Sequence, residues 1–277
     1  MKIVKDKNKI IITNPQDFDI VQTLNCGQIF RFVIDGNTAR VFSLDKMAKI
    51  NFNKDKIEIE TPNTDYFYNF FDLSTDYGAI KNKLALDPLL APAIKFGGGI
   101  RIINNTAFEM LISFIISANN NIKRIKNSIE FLCSRFGENK GEYYAFPTLQ
   151  ALKTATVQDF VEAGLGYRAE QMFDTVQKLT PEYIAKIETA DNKTKMQLLI
   201  ALKGIGEKVA NCIMLFGLGV KNVFPVDVWI NKVYNHIFSK NETDRSKITK
   251  ELTERYGELS GYAQQYFYYY YRENKIG

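Results

Sequence analysis

The sequence is poor in the residues that carry most metal and triad chemistry: 277 residues hold three cysteines and one histidine, His236. Cys26, Cys133 and Cys212 are odd in number and far apart, which excludes a disulfide framework and a cysteine metal cluster. A single histidine removes His-rich zinc sites and argues against a Ser-His-Asp triad. No stretch approaches the ~20 uninterrupted apolar residues that a membrane-spanning helix needs. The opening MKIVKDKNKIIITNP alternates charged with apolar residues and lacks the apolar run of a signal peptide, so a cytoplasmic location is expected. Internal repeats and low-complexity tracts are absent as well.

What is present reads as an ordinary globular chain, 45% hydrophobic and 24% charged, with a net charge of +5. That excess suits an anionic partner without identifying one. Strands come first. Phe30, Phe32 and Ile34 alternate with Arg31 and Val33, the chain turns at Asp35-Gly36, and AKINFNKDKIEIET repeats the pattern around Asn53–Asp55. From TDYFYNFFDLSTDYGAIKNKLA the period lengthens and helices take over. TAFEMLISFIISA is apolar on nearly every side and predicts a central buried helix, while NNNIKRIKNSIEFLCSRFG predicts a capped helix closing at Gly137. The expected fold class is α+β: an N-terminal antiparallel β-sheet domain over 1–98, then a mainly α-helical domain over 99–277 with a helix-hairpin-helix. KFGGGIRI, the most flexible-looking stretch, marks the expected boundary.

The segment LKGIGEKVANCIMLFGLGVKNVFPVDVW bears most directly on chemistry. Gly204 and Gly206 supply a turn whose backbone can approach a ligand closely, and the free N–H groups of the following helix suit a phosphate. Lys208 lies in the first turn of that helix, where an ammonium opposes the helix dipole. The dipole and burial both predict a lowered pKa and hence an available neutral amine. Asp227 predicts an N-cap. The helix 208–216 is about 13 Å long, and the connection back can stretch to ~33 Å, so Lys208 and Asp227 can meet at one end. On these grounds alone, an ordinary turn with a capping aspartate remains the stronger alternative.

LKGIGEKVANC followed by FPVDVW resembles the helix-hairpin-helix and Gly/Pro-rich-loop aspartate motif of the DNA base-excision glycosylases, and within them the 8-oxoguanine DNA glycosylases. Five further stretches agree in order: NCGQIFRF, FIISANNNIKRI, FPTLQAL, GLGYRA and GYAQQYFYY. The resemblance implies Lys208 as the nucleophile at the sugar C1′ and Asp227 as the carboxylate that stabilises developing positive charge there. A Schiff base and β-elimination would follow, making the enzyme a bifunctional glycosylase and lyase. It implies base contacts from Gly27, whose carbonyl would read N7–H, and from Gln264, Tyr268 and Cys212. It implies contacts with the orphaned cytosine and its surroundings from Asn119, Arg124, Tyr167 and Arg168, and with the DNA backbone from Gly204, Gly206 and Trp229. The partner implied is double-stranded DNA containing 8-oxoguanine, preferably opposite cytosine, with no cofactor required, no side-chain metal site and no membrane. A monomer is expected, associated with the nucleoid if the source is bacterial.

Each of these residues also has a plainer reading: Asn119–Asn121 as helix caps, Cys212 as core, Gly27 as a bulge, Tyr167-Arg168 as a loop-to-helix pair. The chain departs from the family pattern at Lys203, where proline is usual, at Trp229, where histidine occurs, and at Tyr268, commonly phenylalanine. Two competing functions are a superfamily glycosylase of the thymine-glycol or adenine type and a non-catalytic hairpin DNA-binding protein. The first commonly carries a four-cysteine iron–sulfur cluster after the hairpin, and no cysteine follows Cys212. The second would have no use for Lys208 and Asp227 together with Gly27 and Gln264.

Overall fold

A computed structural model describes residues 1–275. In chain order the elements are β1 (Lys2–Lys5), β2 (Lys9–Thr13), α1 (Ile20–Asn25), β3 (Phe32–Asp35), β4 (Thr38–Ser43), β5 (Lys46–Phe52), β6 (Lys56–Glu60), α2 (Thr64–Phe70), α3 (Tyr77–Leu84) and α4 (Ala91–Phe96). Helices follow: α5 (Ala107–Ser117), α6 (Ile122–Phe136), α7 (Leu149–Lys153), α8 (Val157–Glu162), α9 (Arg168–Lys178), α10 (Pro181–Thr189), α11 (Asn192–Ile200), α12 (Glu207–Gly217), α13 (Val228–Phe238), α14 (Arg245–Tyr256) and α15 (Ser260–Glu273). The α+β reading holds. No helix among the described residues is long and apolar enough to cross a membrane.

The sheet is antiparallel in the order β1-β2-β6-β5-β4-β3. Strands β3 to β6 form the expected meander, and the N-terminal hairpin joins it through β2 on β6, a long-range pairing that alternation alone could not disclose. Register follows from the buried set: Ile10 pairs with Ile59, Ile12 with Ile57, and Ile50 with both Ile59 and Ala39. A one-residue slip would turn all of them to solvent. Their face packs under Phe67, Phe70 and Phe71, while Lys9, Lys49, Glu58 and Glu60 occupy the other face. Lys2 and Lys5 on β1 discourage edge pairing.

In the helical part, α5 and α12 run antiparallel at the centre, each buried over most of its length. They approach closely at Gly217, where a Cβ would lie 3.0 Å from the Met110 Cβ. The 98/99 line drawn from sequence passes through shared packing, because Tyr77, Leu84, Leu90 and Ile94 belong to the same apolar cluster as α5 and α12. The triple glycine is also not the loose segment it resembles. A Cβ on Gly99 would sit 2.3 Å from that of Asp19, and Arg101 is fully buried, donating to the carbonyls of Phe71, Asp17, Asp72 and Thr75. These glycines permit a close approach, where composition suggested flexibility. The sheet docks on α5 and α6 through two further contacts: Glu109 accepts from the Leu44 N–H at 2.7 Å, and Arg31 pairs with Glu130 at 2.9 Å.

Candidate active site

The hairpin α11–turn–α12 is built as its glycines suggest. Gly204 takes φ +80°, and Gly206 is the N-cap of α12, leaving the first N–H groups of the helix without a side-chain cap. Lys203, in the place of a proline, leaves the turn well anchored: its carbonyl accepts from the Thr175 hydroxyl at 2.8 Å, its ammonium pairs with Asp174, and Lys178 donates to the Ala201 carbonyl. Two turns of α9 therefore hold the hairpin in place of ring rigidity.

Lys208 and Asp227 come to the same cavity, lined also by Cys26, Gly27, Phe114, Cys212, Phe216, Pro225, Gln264, Gln265 and Tyr268. Asp227 caps α13, its Oδ1 accepting from the Ile230 N–H at 2.8 Å. The Lys208 Nζ stands 5.5 Å over the Phe114 ring, which is stacked in turn on Phe216. The lowered pKa expected for Lys208 is overturned. Burial does push the ammonium down, but Cys212, Asp227 and Tyr268 around it outweigh burial, and the net direction is up. Burial also raises the Cys212 thiol and the Tyr268 phenol. Sequence reasoning weighed the dipole and burial without the counter-charge that folding brings up.

The other walls come from the two ends of the chain. On α15, Gln264 and Tyr268 share a face, and Gln264 is buried, its Nε2 donating to the Pro225 carbonyl and its Oε1 accepting from Gln265 at 2.7 Å. Gly27 follows α1 with φ +82°, a conformation that favours glycine, and a Cβ there would lie 3.0 Å from the Tyr268 Cε1. Its neighbour Gln28, fully buried, bonds the carbonyls of Thr23 and Arg101 and the N–H of Ile103, fixing the loop. The cavity has about 50 Å³ free. A dry site of roughly 150 Å³ is what admits benzene, so a purine could enter only if a wall moved; Tyr268, leaning on Gly27, is one such wall.

A second cluster lies around the end of α5. Asn119 is exposed with φ +48°, Asn121 is the N-cap of α6, and Arg124 is exposed on that helix. Tyr167 is 65% exposed, with Arg168 stacked against its ring at 4.9 Å. Arg168 is itself buried, and its Nη1 donates to the Ala118 carbonyl at 2.7 Å, next to Asn119. Asn119, Tyr167 and Arg168 thus come together, although Arg168 is committed to the backbone in this state. Trp229, the second residue of α13, has its Nε1 buried without a partner among the described residues. Residues that sequence reasoning did not single out are Phe114, Phe216, Pro225 and Gln265. Phe114 sat inside a segment already singled out, FIISANNNIKRI, but as one more apolar position of a buried helix.

Residues 112–258 match the family described as HhH-GPD superfamily base excision DNA repair protein, and residues 10–111 match the 8-oxoguanine DNA glycosylase N-terminal domain. The chain is 31% identical over 232 residues to a probable N-glycosylase/DNA lyase of Methanothermobacter thermautotrophicus, covering 74% of this chain and 72% of that protein. It is also 31% identical to N-glycosylase/DNA lyase OGG1 of Arabidopsis thaliana, over 64% of this chain and 53% of the relative. Among solved structures, it is similar to the Clostridium acetobutylicum 8-oxoguanine glycosylase/lyase in complex with double-stranded DNA containing cytosine opposite 8-oxoguanine. There the identity is 37% and the TM-score 0.91, with 100% of this chain and 99% of that one covered.

Proposed function

From a chain that belongs to the HhH-GPD superfamily of base excision DNA repair proteins, and to its 8-oxoguanine glycosylase branch, we propose the following reading of the site. The enzyme excises 8-oxoguanine from duplex DNA and cleaves the strand as a lyase. One observation carries the assignment of residues: Gly27, Lys208, Asp227, Gln264 and Tyr268, drawn from both ends and the middle of the chain, line one cavity.

The lesion must leave the duplex to reach that cavity. The Gly27 carbonyl accepts the N7–H that 8-oxoguanine has and guanine lacks, so guanine would set an acceptor against an acceptor. Gln264 reads the Watson–Crick edge, while Tyr268 and Cys212 flank the base. Asn119, Arg124, Tyr167 and Arg168 serve the gap and the orphaned cytosine. The free N–H groups at Gly206 take a phosphate with no sequence reading.

Lys208 must first lose a proton to act as a neutral amine, since a lysine whose pKa is raised is an ammonium at neutral pH. The neutral amine then forms a bond to C1′ as the C1′–N9 bond breaks, and the departing base accepts a proton. Asp227 offsets the positive charge that builds on the sugar. Ring opening breaks the C1′–O4′ bond, with a proton passing to O4′, and leaves a protonated Schiff base at Lys208 that acidifies the C2′ proton; as that proton passes to a base or water, the C3′–O bond breaks and the 3′ phosphate leaves. No step of this sequence calls on a metal or a redox cofactor.

The test is borohydride trapping on a duplex with 8-oxoguanine opposite cytosine. A covalent adduct is expected with the parent protein and none with Lys208→Gln; an adduct that survives the substitution refutes the assignment.

A further inference from the structure

Arg272 makes contacts on both sides of the base pocket. It follows Tyr268 by four residues and Gln264 by eight, which puts all three on one face of α15. Its guanidinium lies over the Tyr268 ring, 5.1 Å from the centroid. Its Nη2 donates to the Asn25 carbonyl at 2.5 Å, across 247 residues of chain. Asn25 ends α1, where an unsatisfied carbonyl and the negative end of the helix dipole favour a cation. Two residues on is Gly27.

We propose that Arg272 is a positioning residue for discrimination of the damaged base: it ties the loop that carries the Gly27 carbonyl to the ring of Tyr268. The inference rests on the glycosylase reading given above. The two groups it joins stand on different elements and touch where Tyr268 leans on Gly27: the loop follows the short helix α1, and the ring stands on the last long helix. Gln28 fixes the loop from the sheet side, and Arg272 fixes it from the pocket side.

The remaining contacts fit placement better than mere helix closure. Nε and Nη2 also bond Glu273, an exposed partner, while Nη1 is buried with no partner among the described residues. A buried unpaired donor lowers stability, and an aliphatic side chain could cover α15 without that penalty. What an aliphatic chain could not do is stack a planar cation on Tyr268 while bonding a carbonyl on α1. The cation also favours the ionised form of Tyr268, against the effect of burial, so the two side chains are electrostatically linked as well as packed.

The experiment compares two reactions of one protein. Base release from 8-oxoguanine opposite cytosine needs the pocket walls, whereas cleavage of a preformed abasic site needs Lys208 and no base recognition. Arg272→Leu is expected to slow single-turnover base release about tenfold, with abasic cleavage changed by less than about twofold. Arg272→Lys keeps the charge and a donor for Asn25 but not the planar stack, and is expected to fall between parent and Arg272→Leu. Equal loss of both reactions, or base release at the parent rate in Arg272→Leu, would overturn the proposal. If Arg272→Leu does not fold, Arg272→Lys decides: slowed base release with intact abasic cleavage supports the role, and parental base release removes it. A parent protein inactive on 8-oxoguanine would instead overturn the glycosylase reading itself.

Discussion

Replacing Gly27 by alanine tests the reading of the base pocket most directly. Two separate penalties follow from the geometry. Alanine at φ +82° enters the left-handed region, which costs about 1–2 kcal/mol. Its methyl would also stand 3.0 Å from Cε1, 3.3 Å from the hydroxyl and 3.4 Å from Cζ of Tyr268. Relief of that contact displaces either the ring or the loop, and both are walls of a cavity with only about 50 Å³ free. Displacement of the carbonyl by a few tenths of an ångström weakens the bond to N7–H, worth about 1–3 kcal/mol when lost at a buried site. A central figure of about 2 kcal/mol predicts base release slowed roughly 30-fold. The φ penalty acts on the free protein as well and should lower the melting temperature by a few degrees. The assay is single-turnover release of 8-oxoguanine opposite cytosine, set beside affinity for a duplex carrying a stable abasic analogue. Affinity is expected to stay within about threefold, since the hairpin and the orphan-base cluster are untouched. Excision unchanged, or excision and affinity lost together, would mean that Gly27 serves only the backbone.

Two further outcomes separate chemistry from structure. Asp227→Asn keeps an N-cap of equal rank and removes the charge, whereas Asp227→Ala removes both; excision should fall in each, but only the alanine variant should lose about 1 kcal/mol of stability by thermal melting. Retained excision in Asp227→Asn would show that the carboxylate charge is not used. Lys221 stands near the seam between the sheet and the helices, its ammonium 3.1 Å from the Asn104 Oδ1, and burial pushes its pKa down to about 8. Because this lies below the unfolded value, the unfolded chain binds more protons between the two, and this group's contribution to stability rises as pH increases from about 8 toward ~10.4. The parent should therefore gain on Lys221→Met in melting temperature between pH 7.5 and pH 10; a gap independent of pH would refute the depressed value.

The sequence by itself determined a large part of this protein. Strand alternation placed the isoleucine face, asparagine and aspartate capping placed the starts of α6 and α13, and the two glycines placed the hairpin, because each is a local effect of side-chain period or backbone freedom. Resemblance carried the rest of the candidate site, since Gly27 and Gln264 have no local signature that marks a pocket. Helices α10 and α14 went unread, because each buries few apolar residues, Ile187 on the first and Ile248 and Leu252 on the second. Tertiary structure alone decided three things. It joined the N-terminal hairpin to β6, a pairing over more than forty residues that only a shared buried face selects. It turned the triple glycine from an apparent hinge into a tight contact with Asp19, because absence of a side chain permits close packing as readily as motion. It brought Asp227 to the cavity that Lys208 lines, because the start of α13 reaches the start of α12 only when the two helices are folded together.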